Sequence, residues 1–282
     1  MNIIKLSNVE YEVKGKHILH NINLDIKQNE SCCVIGRNGC GKSTLIELIL
    51  GDIAKTSGSV ELGVRNDEIS VVYNDINLFP FLKVREVIKF LCTIHNKNFE
   101  KIKEHYFSVF DLHKIANSLL KELSSGEKKK VQLLISIINN PSLIVLDEPF
   151  AFIDPTVVDS LWELIKLNSN TILFCSHNWS FVEQYSDRIC FMDNGAILNQ
   201  PLTFEEIVSK LPEKKKIVIS KNQESIQFEK YPHFYEENSM IIFYNENSNM
   251  LSEVKSFSSN YSVLDVTLKD AYIYFTTKKI VL

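Results

Sequence analysis

Residues 32–51 read CCVIGRNGCGKSTLIELILG and carry the most informative pattern in the chain. Its apolar start predicts a buried strand, and its apolar end predicts a helix that stops at Gly51. Between them, residues 36–43 match the pattern G-x-x-x-x-G-K-[ST], in which glycines let successive backbone N–H groups curl around phosphate oxygens. The loop runs into a helix N-terminus, whose partial positive charge also attracts an anion. The stretch therefore predicts a loop that holds the phosphates of a nucleoside triphosphate.

Two side chains of this loop have predicted roles of their own. Lys42 is expected to reach the β- and γ-phosphates, and the Ser43 hydroxyl is expected to coordinate Mg²⁺. The alternative is a tight strand-to-helix turn without a ligand, but the strand before the loop and the helix after it are the context that the motif requires. The predicted nucleotide-binding residues of this stretch are Gly36, Asn38, Gly39, Cys40, Gly41, Lys42, Ser43 and Thr44.

A second motif, SLIVLDEP at residues 142–149, places two acids at the end of an apolar strand. Ligands of open α/β sheets bind at the carboxyl ends of the strands. We predict that one of Asp147 and Glu148 helps to hold Mg²⁺ and that the other polarises the attacking water. An acid at the end of a strand is common by itself, so this prediction depends on the phosphate loop upstream.

The composition of the 282-residue chain is that of an ordinary globular protein, with 45% hydrophobic residues, 23% charged residues and a formal net charge of −4. This charge lacks the basic excess that is typical of nucleic-acid-binding proteins, so no nucleic-acid partner is expected. No apolar run reaches the roughly 18 residues of a membrane helix, and the N-terminus shows no secretory signal. The six cysteines lack metal-ligand spacing and are interpreted as reduced, buried thiols. We expect a cytoplasmic protein.

The order of apolar segments along the chain predicts its organisation. Strands alternate with helices, which indicates an α/β fold with a largely parallel sheet. At the N-terminus, two alternating segments predict an antiparallel pair joined near Gly15. Helical periodicity over residues 82–137 interrupts the alternation and predicts a helical subdomain. We therefore divide the chain into a large domain at residues 1–211 and a small α+β appendage at residues 212–282.

Residues 1–210 resemble the ATP-binding subunits of ABC transporters. Beyond the phosphate loop and the two acids, LSSGE at residues 123–127 is similar to the family signature, and FAFIDP at residues 150–155 is similar to its D-loop. CSHN at residues 175–178 matches the segment that carries the switch histidine, and Tyr11 matches the aromatic residue that stacks on adenine. The resemblance implies a P-loop NTPase of ABC type, with a mixed sheet core, an antiparallel β subdomain and a helical subdomain.

The resemblance also implies an ATPase that works as a head-to-tail pair, with ATP between the phosphate loop of one subunit and the signature of the other. In that arrangement Glu148 is the general base, Lys42 contacts the phosphates, and His177 contacts the γ-phosphate and the attacking water. The implied partners are a second ATPase subunit, identical or different, and a separately encoded transmembrane permease, which would hold the chain at the inner face of the cell membrane. The nucleotide-binding set implied by the family adds Tyr11, Asn74, Ser124, Ser125, Gly126, Glu127 and Asp154.

Several of these residues also have a structural interpretation. Ser124 and Glu127 have the spacing of a capping box, and Asp154 is suited to cap the helix that follows it. His177 is also compatible with a histidine that merely ends a strand, and Tyr11 with plain packing. For the capping residues both interpretations can hold, because a capped helix N-terminus can also face a phosphate.

Two positions depart from the family pattern. Asn74 stands where glutamine is usual, and its shorter amide would need bridging solvent to reach Mg²⁺ or the attacking water; Asp75 or Asn77 in a shifted register is the alternative. Ser125 stands where glycine is commoner, which adds a side chain near the subunit interface. We predict slower hydrolysis than in relatives with the usual residues, and an unchanged rate in Asn74→Gln would contradict the part assigned to Asn74.

The favoured function is an ATP-hydrolysing subunit that powers a separately encoded membrane domain. Residues 78–91 and 263–276 resemble segments of exporter-type subunits, so export of a peptide, an antibiotic or a lipid is favoured. The apolar residues within 79–91 are expected to receive a coupling helix of the permease. The alternatives are a soluble ABC ATPase acting on nucleic acid or ribosomes, a P-loop kinase of small molecules, and a degenerate regulator that does not hydrolyse ATP.

Overall fold

The computed structural model describes residues 1–73, 79–220, 223–257 and 260–278. These residues form an N-terminal sheet of three strands, a central sheet of six strands and a C-terminal sheet of four strands. The six cysteines are all buried free thiols. None of the helices within the described ranges combines the length and the apolar character that crossing a membrane requires.

The N-terminal sheet is antiparallel, and its first strand lies between the other two. Its strands are β1 (Asn2–Val13), β2 (Lys16–Lys27) and β4 (Ser57–Leu62). The predicted turn between the first two strands consists of Lys14 and Gly15, whose φ angles of 51° and 77° are the left-handed values that a two-residue hairpin turn needs. The third strand was not predicted, and it completes the face that packs on the central sheet.

The central sheet has five parallel strands and one short antiparallel strand at its edge. In sheet order the strands are β5 (Ile69–Val72), β6 (Leu143–Asp147), β7 (Thr171–Ser176), β3 (Ser31–Ile35), β8 (Arg188–Asp193) and β9 (Ala196–Ile197). Every residue of β3, β6 and β7 is buried, as expected for parallel strands that are covered on both faces. Because these three strands are parallel neighbours, the loops that follow them meet at one edge of the sheet.

Helices and the N-terminal sheet cover the two faces of the central sheet. The helices that follow its strands are α1 (Lys42–Leu50), α5 (Pro155–Asn168), α6 (Trp179–Tyr185) and α7 (Phe204–Ser209). Side chains of α1 form one apolar core with the N-terminal sheet, and side chains of α5 and α6 form another on the opposite face. The segment with predicted helical periodicity contains α2 (Val84–Ile94), α3 (Phe99–Tyr106) and α4 (Ser125–Ile137), which join this second core.

The C-terminal residues form an antiparallel sheet with a helix on each face, which we call the C-terminal module. In sheet order its strands are β11 (His233–Glu236), β12 (Ser239–Tyr244), β10 (Lys215–Ser220) and β13 (Tyr261–Asp265), and its helices are α8 (Met250–Phe257) and α9 (Leu268–Lys278). Alternate residues point to opposite faces of a strand. Accordingly, Ile242 packs with α8, whereas Phe243 packs with α9 and joins the core of the central sheet. Helix α9 therefore lies between the C-terminal sheet and the rest of the protein.

Candidate active site

The predicted phosphate loop connects β3 to α1 in a conformation that requires glycine. Gly39 and Gly41 have φ angles of 79° and 109°, which other residues rarely adopt. A Cβ atom on Gly36 would lie only 2.2 Å from the backbone oxygen of Met192, so the loop packs directly against the end of β8. The glycines thus serve both the curl of the loop and its close contact with the sheet.

The Lys42 side chain is buried and folds back over this loop. Its Nζ donates to the backbone oxygens of Gly36, at 2.9 Å, and of Arg37, at 3.2 Å. The ammonium group is thereby held at the bend of the phosphate loop, where the N-terminus of α1 also lies. A cation and backbone N–H groups together are suited to bind phosphate oxygens.

Ser43 and Asp147 meet although 104 residues separate them in the chain. The Ser43 hydroxyl donates to Oδ2 of Asp147 at 2.7 Å, and Asp147 is buried at the end of β6. Hydroxyl and carboxylate oxygens suit Mg²⁺, which often takes one or two protein ligands and completes its shell with phosphate and water. Within the described ranges, no group of three or more His, Cys, Asp or Glu side chains is arranged to hold a metal by itself. The two oxygens therefore fit a metal that is held together with a bound nucleotide.

Glu148 is held beside His177 by the backbone and by a side-chain contact. Its φ of 48° is left-handed, and its N–H donates to the Cys175 oxygen at 3.0 Å. Oε1 of Glu148 lies 2.7 Å from Nδ1 of His177, and when Nδ1 carries a proton it donates to this carboxylate. The His177 side chain is 55% exposed and that of Glu148 only 15% exposed, so the histidine is the more accessible member of the pair.

The phosphate loop and the two acids line one cavity of about 250 Å³. Its lining combines a cation, backbone donors and carboxylates, which is suited to bind a polyphosphate and to take a proton from a water molecule. The described residues that line it are Ile18, Asn38, Gly39, Gly41, Lys42, Ser43, Thr44, Asp147 and Glu148.

The signature residues 124–127 begin α4 and, among the described residues, are not part of the lining of this cavity. Ser124 Oγ accepts from the Glu127 N–H at 3.3 Å, and Oε2 of Glu127 accepts from the Ser124 N–H at 2.9 Å. The predicted capping box is therefore confirmed, and its hydrogen bonds hold the pKa of Glu127 below the usual value. A Cβ on Gly126 would lie 2.4 Å from the Phe152 oxygen, so the helix start packs on the D-loop segment of the same chain.

The remaining predicted site residues lie apart from the cavity or outside the described residues. Asp154 caps α5 by accepting two hydrogen bonds from its first turn, and these bonds hold the pKa of Asp154 below the usual value. Tyr11 is half-buried in β1 and packs against the core beneath the N-terminal sheet. Asn74, like the alternatives Asp75 and Asn77, falls outside the described residues.

Sequence reasoning missed Lys129, whose buried ammonium contacts the backbone of Asp147. Its Nζ donates to the backbone oxygens of Tyr73 and Asp147, each at 3.3 Å. The EKKK run at residues 127–130 suggests only a solvated surface. The available signal is helical spacing, because Leu133 and Ile137 follow Lys129 at intervals of four on the buried face of α4.

Lys129→Met is expected to lower the free energy of unfolding by about 1–3 kcal/mol, because one buried and one partly buried carbonyl group lose this donor. Urea titrations of the variant and of Lys128→Met, a neighbouring lysine that is only partly buried, provide the measurement and its control. Equal midpoints for the two variants would contradict the structural role of Lys129.

Comparison with known proteins gives one family. The model of the ABC transporter family matches residues 19–151. An uncharacterised ABC transporter ATP-binding protein of Methanocaldococcus jannaschii is 30% identical over 246 residues, which cover 77% of this chain and 93% of that protein. The spermidine/putrescine import ATP-binding protein PotA of Fusobacterium nucleatum is 30% identical over 212 residues, or 69% of this chain and 56% of PotA. This chain therefore spans little more than half the length of that importer protein.

Solved structures show the same fold. An ATP-binding subunit of an ABC transporter superposes with a TM-score of 0.66 at 22% identity, covering 74% of this chain and 92% of its own. The cbiO1 protein of Clostridium perfringens, described as part of the ABC transporter complex cbiONQ, superposes with a TM-score of 0.61 at 24% identity over 74% of this chain and 91% of its own.

The phosphate loop, the adjacent acids and these similarities define the chain as a P-loop ATPase. It belongs to the ABC transporter family, as one of its ATP-binding subunits. The predicted fold class, the predicted resemblance and the predicted ATPase activity are thus confirmed.

Proposed function

We propose that this chain binds ATP with Mg²⁺, pairs head to tail with a second ATPase subunit, and drives a separately encoded membrane permease. The observation that carries the proposal is the position of the signature. The described lining of the phosphate cavity includes the phosphate loop and both acids but not residues 124–127, and Ser124 and Ser125 are exposed. A site that is incomplete in one chain is completed when a second chain supplies the missing surface.

Within this proposal each side chain has a chemical task. The backbone of the loop and Lys42 bind the phosphates, and Glu148 takes the proton of the attacking water. His177 holds the Glu148 carboxylate and would contact the γ-phosphate of the bound nucleotide. Mg²⁺, held by Ser43, Asp147 and Asn74 together with the nucleotide, would neutralise charge on the transferred phosphoryl group. The remaining proposed nucleotide contacts are those of Tyr11, Gly36, Asn38, Gly39, Cys40, Gly41 and Thr44, and in trans those of Ser124, Ser125, Gly126, Glu127 and Asp154.

We further propose that the permease docks on an apolar patch beside α2, which we call the aromatic patch. The patch consists of five large apolar residues that are exposed to solvent: Phe79, Phe81, Leu82, Phe90 and Ile94. Exposed groups of large apolar residues mark binding surfaces. The occupant we infer is an amphipathic coupling helix on the cytoplasmic side of the permease, because such helices bind in apolar grooves. This contact would hold the chain at the inner face of the cell membrane.

The direction of transport is a finer proposal. The segments at residues 78–91 and 263–276 favour export, whereas the PotA relatives are named as importers. Those names describe PotA, and this chain spans 56% and 64% of the two PotA proteins. Export therefore remains a prediction from sequence, and ATP-driven accumulation of cargo in inside-out vesicles would support it over import.

Phe81→Asp is expected to abolish co-sedimentation of this chain with membranes that contain its permease, while ATP binding is unchanged. Burial of a carboxylate in an apolar contact is costly, so a single charge is enough to prevent docking. Leu167→Asp is the control, because Leu167 is 78% exposed, similar to the 75% of Phe81, but lies on α5. Equal co-sedimentation of both variants would contradict the docking site. If the wild-type chain never sediments with membranes but binds ribosomes or nucleic acid, the soluble alternative replaces the transporter.

A further inference from the structure

Helix α9 of the C-terminal module places a buried tyrosine beside the phosphate loop. Tyr272 is 1% exposed. Its hydroxyl lies 3.1 Å from Oδ1 of Asp193 and 3.4 Å from the backbone oxygen of Met192, and can donate its proton to either. Both acceptors belong to the end of β8 and lie some 80 residues earlier in the chain.

The same end of β8 is also in direct contact with the phosphate loop. The Met192 oxygen faces Gly36 so closely that no side chain fits at that position. Two residues after Asp193, the Gly195 N–H donates to the Cys40 oxygen at 2.9 Å. Residues 192–195 are therefore bound to the phosphate loop on one side and to Tyr272 on the other.

A second cavity shows how close α9 comes to the loop. Its volume is about 320 Å³, and its walls are the loop, the turn after β8 and the C-terminal end of α9. Asn38 and Gly39 line this cavity and the phosphate cavity alike, so the loop borders both. Contacts on the α9 side of the loop can therefore affect its shape on the nucleotide side.

The Tyr272 hydroxyl is in the protonated state that it needs to donate a hydrogen bond. Burial raises the pKa of its hydroxyl, the negative charge of Asp193 raises it further, and the backbone N–H of Arg37 acts in the opposite direction. The hydroxyl therefore keeps its proton at physiological pH.

The ring of Tyr272 makes a further link to the segment of the switch histidine. Its centroid lies 5.0 Å from that of Trp179 and 5.5 Å from that of Phe191. Trp179 is the first residue of α6 and follows His177 by two positions. Tyr272 thus contacts both the end of β8, which packs against the phosphate loop, and Trp179, which follows the switch histidine.

We propose that Tyr272 is a positioning residue for the ATPase site, which holds the phosphate loop in its binding shape through Asp193 and Met192. The C-terminal module thereby sets the affinity of the chain for ATP. This inference depends on ATP binding by the chain and not on the proposed coupling to a permease.

The test compares Tyr272→Phe with Tyr274→Phe. Tyr274 lies on the same helix and packs its ring on Phe243, and its hydroxyl has no hydrogen-bond partner among the described residues. Both substitutions keep the ring and remove only a hydroxyl. Tyr272→Phe is expected to raise the KM for ATP and the Kd for ATP about 2- to 12-fold, the effect of one lost hydrogen bond, with kcat within twofold of wild type. Tyr274→Phe is expected to leave all three unchanged.

Two results would overturn the proposal. One is equal ATP affinity in the two variants, measured by calorimetric titration below the thermal midpoint of each so that only folded protein is compared. The other is a fall in kcat with an unchanged KM, which would exclude a role in shaping the loop. Asp193→Asn and the double variant complete a cycle, in which the effect of Tyr272→Phe should shrink once Asp193 is changed. Wild-type protein that binds ATP but never sediments with membranes contradicts the transporter proposal alone and leaves this test intact.

Discussion

Glu148→Gln is expected to lower ATP turnover about 10²- to 10⁴-fold while ATP binding is retained, since the amide keeps the shape of the side chain but cannot take a proton. The Glu148 carboxylate lies 2.7 Å from His177 and lines the phosphate cavity. Single-turnover release of phosphate measures the loss. Glu163→Gln, an exposed glutamate on α5, is the matched control and should hydrolyse ATP at the wild-type rate.

The same variant reports on subunit pairing. ATP that is bound but not hydrolysed should hold two chains together, so light scattering should detect a dimer only with ATP and Mg²⁺. A protein that remains monomeric with ATP bound would show that the homodimer does not close. In that case either Ser125 and Asn74 prevent closure, or the true partner is a different ATPase chain. Normal turnover by Glu148→Gln would exclude Glu148 as the general base.

Asp270→Ala is expected to lower the free energy of unfolding by about 3–5 kcal/mol, because it leaves a buried ammonium without its partner. Lys216 Nζ lies 2.5 Å from Oδ2 of Asp270, and both side chains are buried between β10 and α9. The same carboxylate accepts hydrogen bonds from the N–H and the hydroxyl of Thr267 at the start of α9. Urea unfolding followed by circular dichroism gives the measurement.

A neighbouring ion pair provides the control for this variant. Lys215 and Glu246 are 2.7 Å apart, with exposed side chains. Because solvent screens such pairs, Glu246→Ala should leave the urea midpoint almost unchanged. Lys216→Met in combination with Asp270→Ala should recover part of the loss, since no unpaired charge then remains buried. Equal midpoints for Asp270→Ala and Glu246→Ala would contradict a structural role for the buried pair.

Local motifs were predictable because their chemistry depends on neighbours in the chain. The glycines of the phosphate loop, the turn at Gly15, the capping box of Ser124 and the helix cap at Asp154 each depend on residues within four positions. Their hydrogen bonds or backbone angles follow from residue type and short spacing. The roles of these residues toward ATP, and the division of the chain after residue 211, remain predictions.

Contacts between distant segments were not predictable in the same way. Ser43 meets Asp147, and Glu148 meets His177, because β6, β7 and β3 are neighbours in the sheet. Only the order of the strands decides which loops share an edge. Lys129 was missed for a related reason, since its run of lysines looks solvated until the packing of α4 shows which face is buried.

Residue type and short spacing were sufficient to predict the family, the phosphate loop and the pair of acids that ends β6. The tertiary structure was needed to show that Lys129 is buried beneath the end of β6 and that Tyr272 lies against the support of the phosphate loop. Both facts depend on how helices pack on a sheet whose parts are far apart in the chain. Burial and distance between such parts are set by the whole core, and no local pattern of residues contains them.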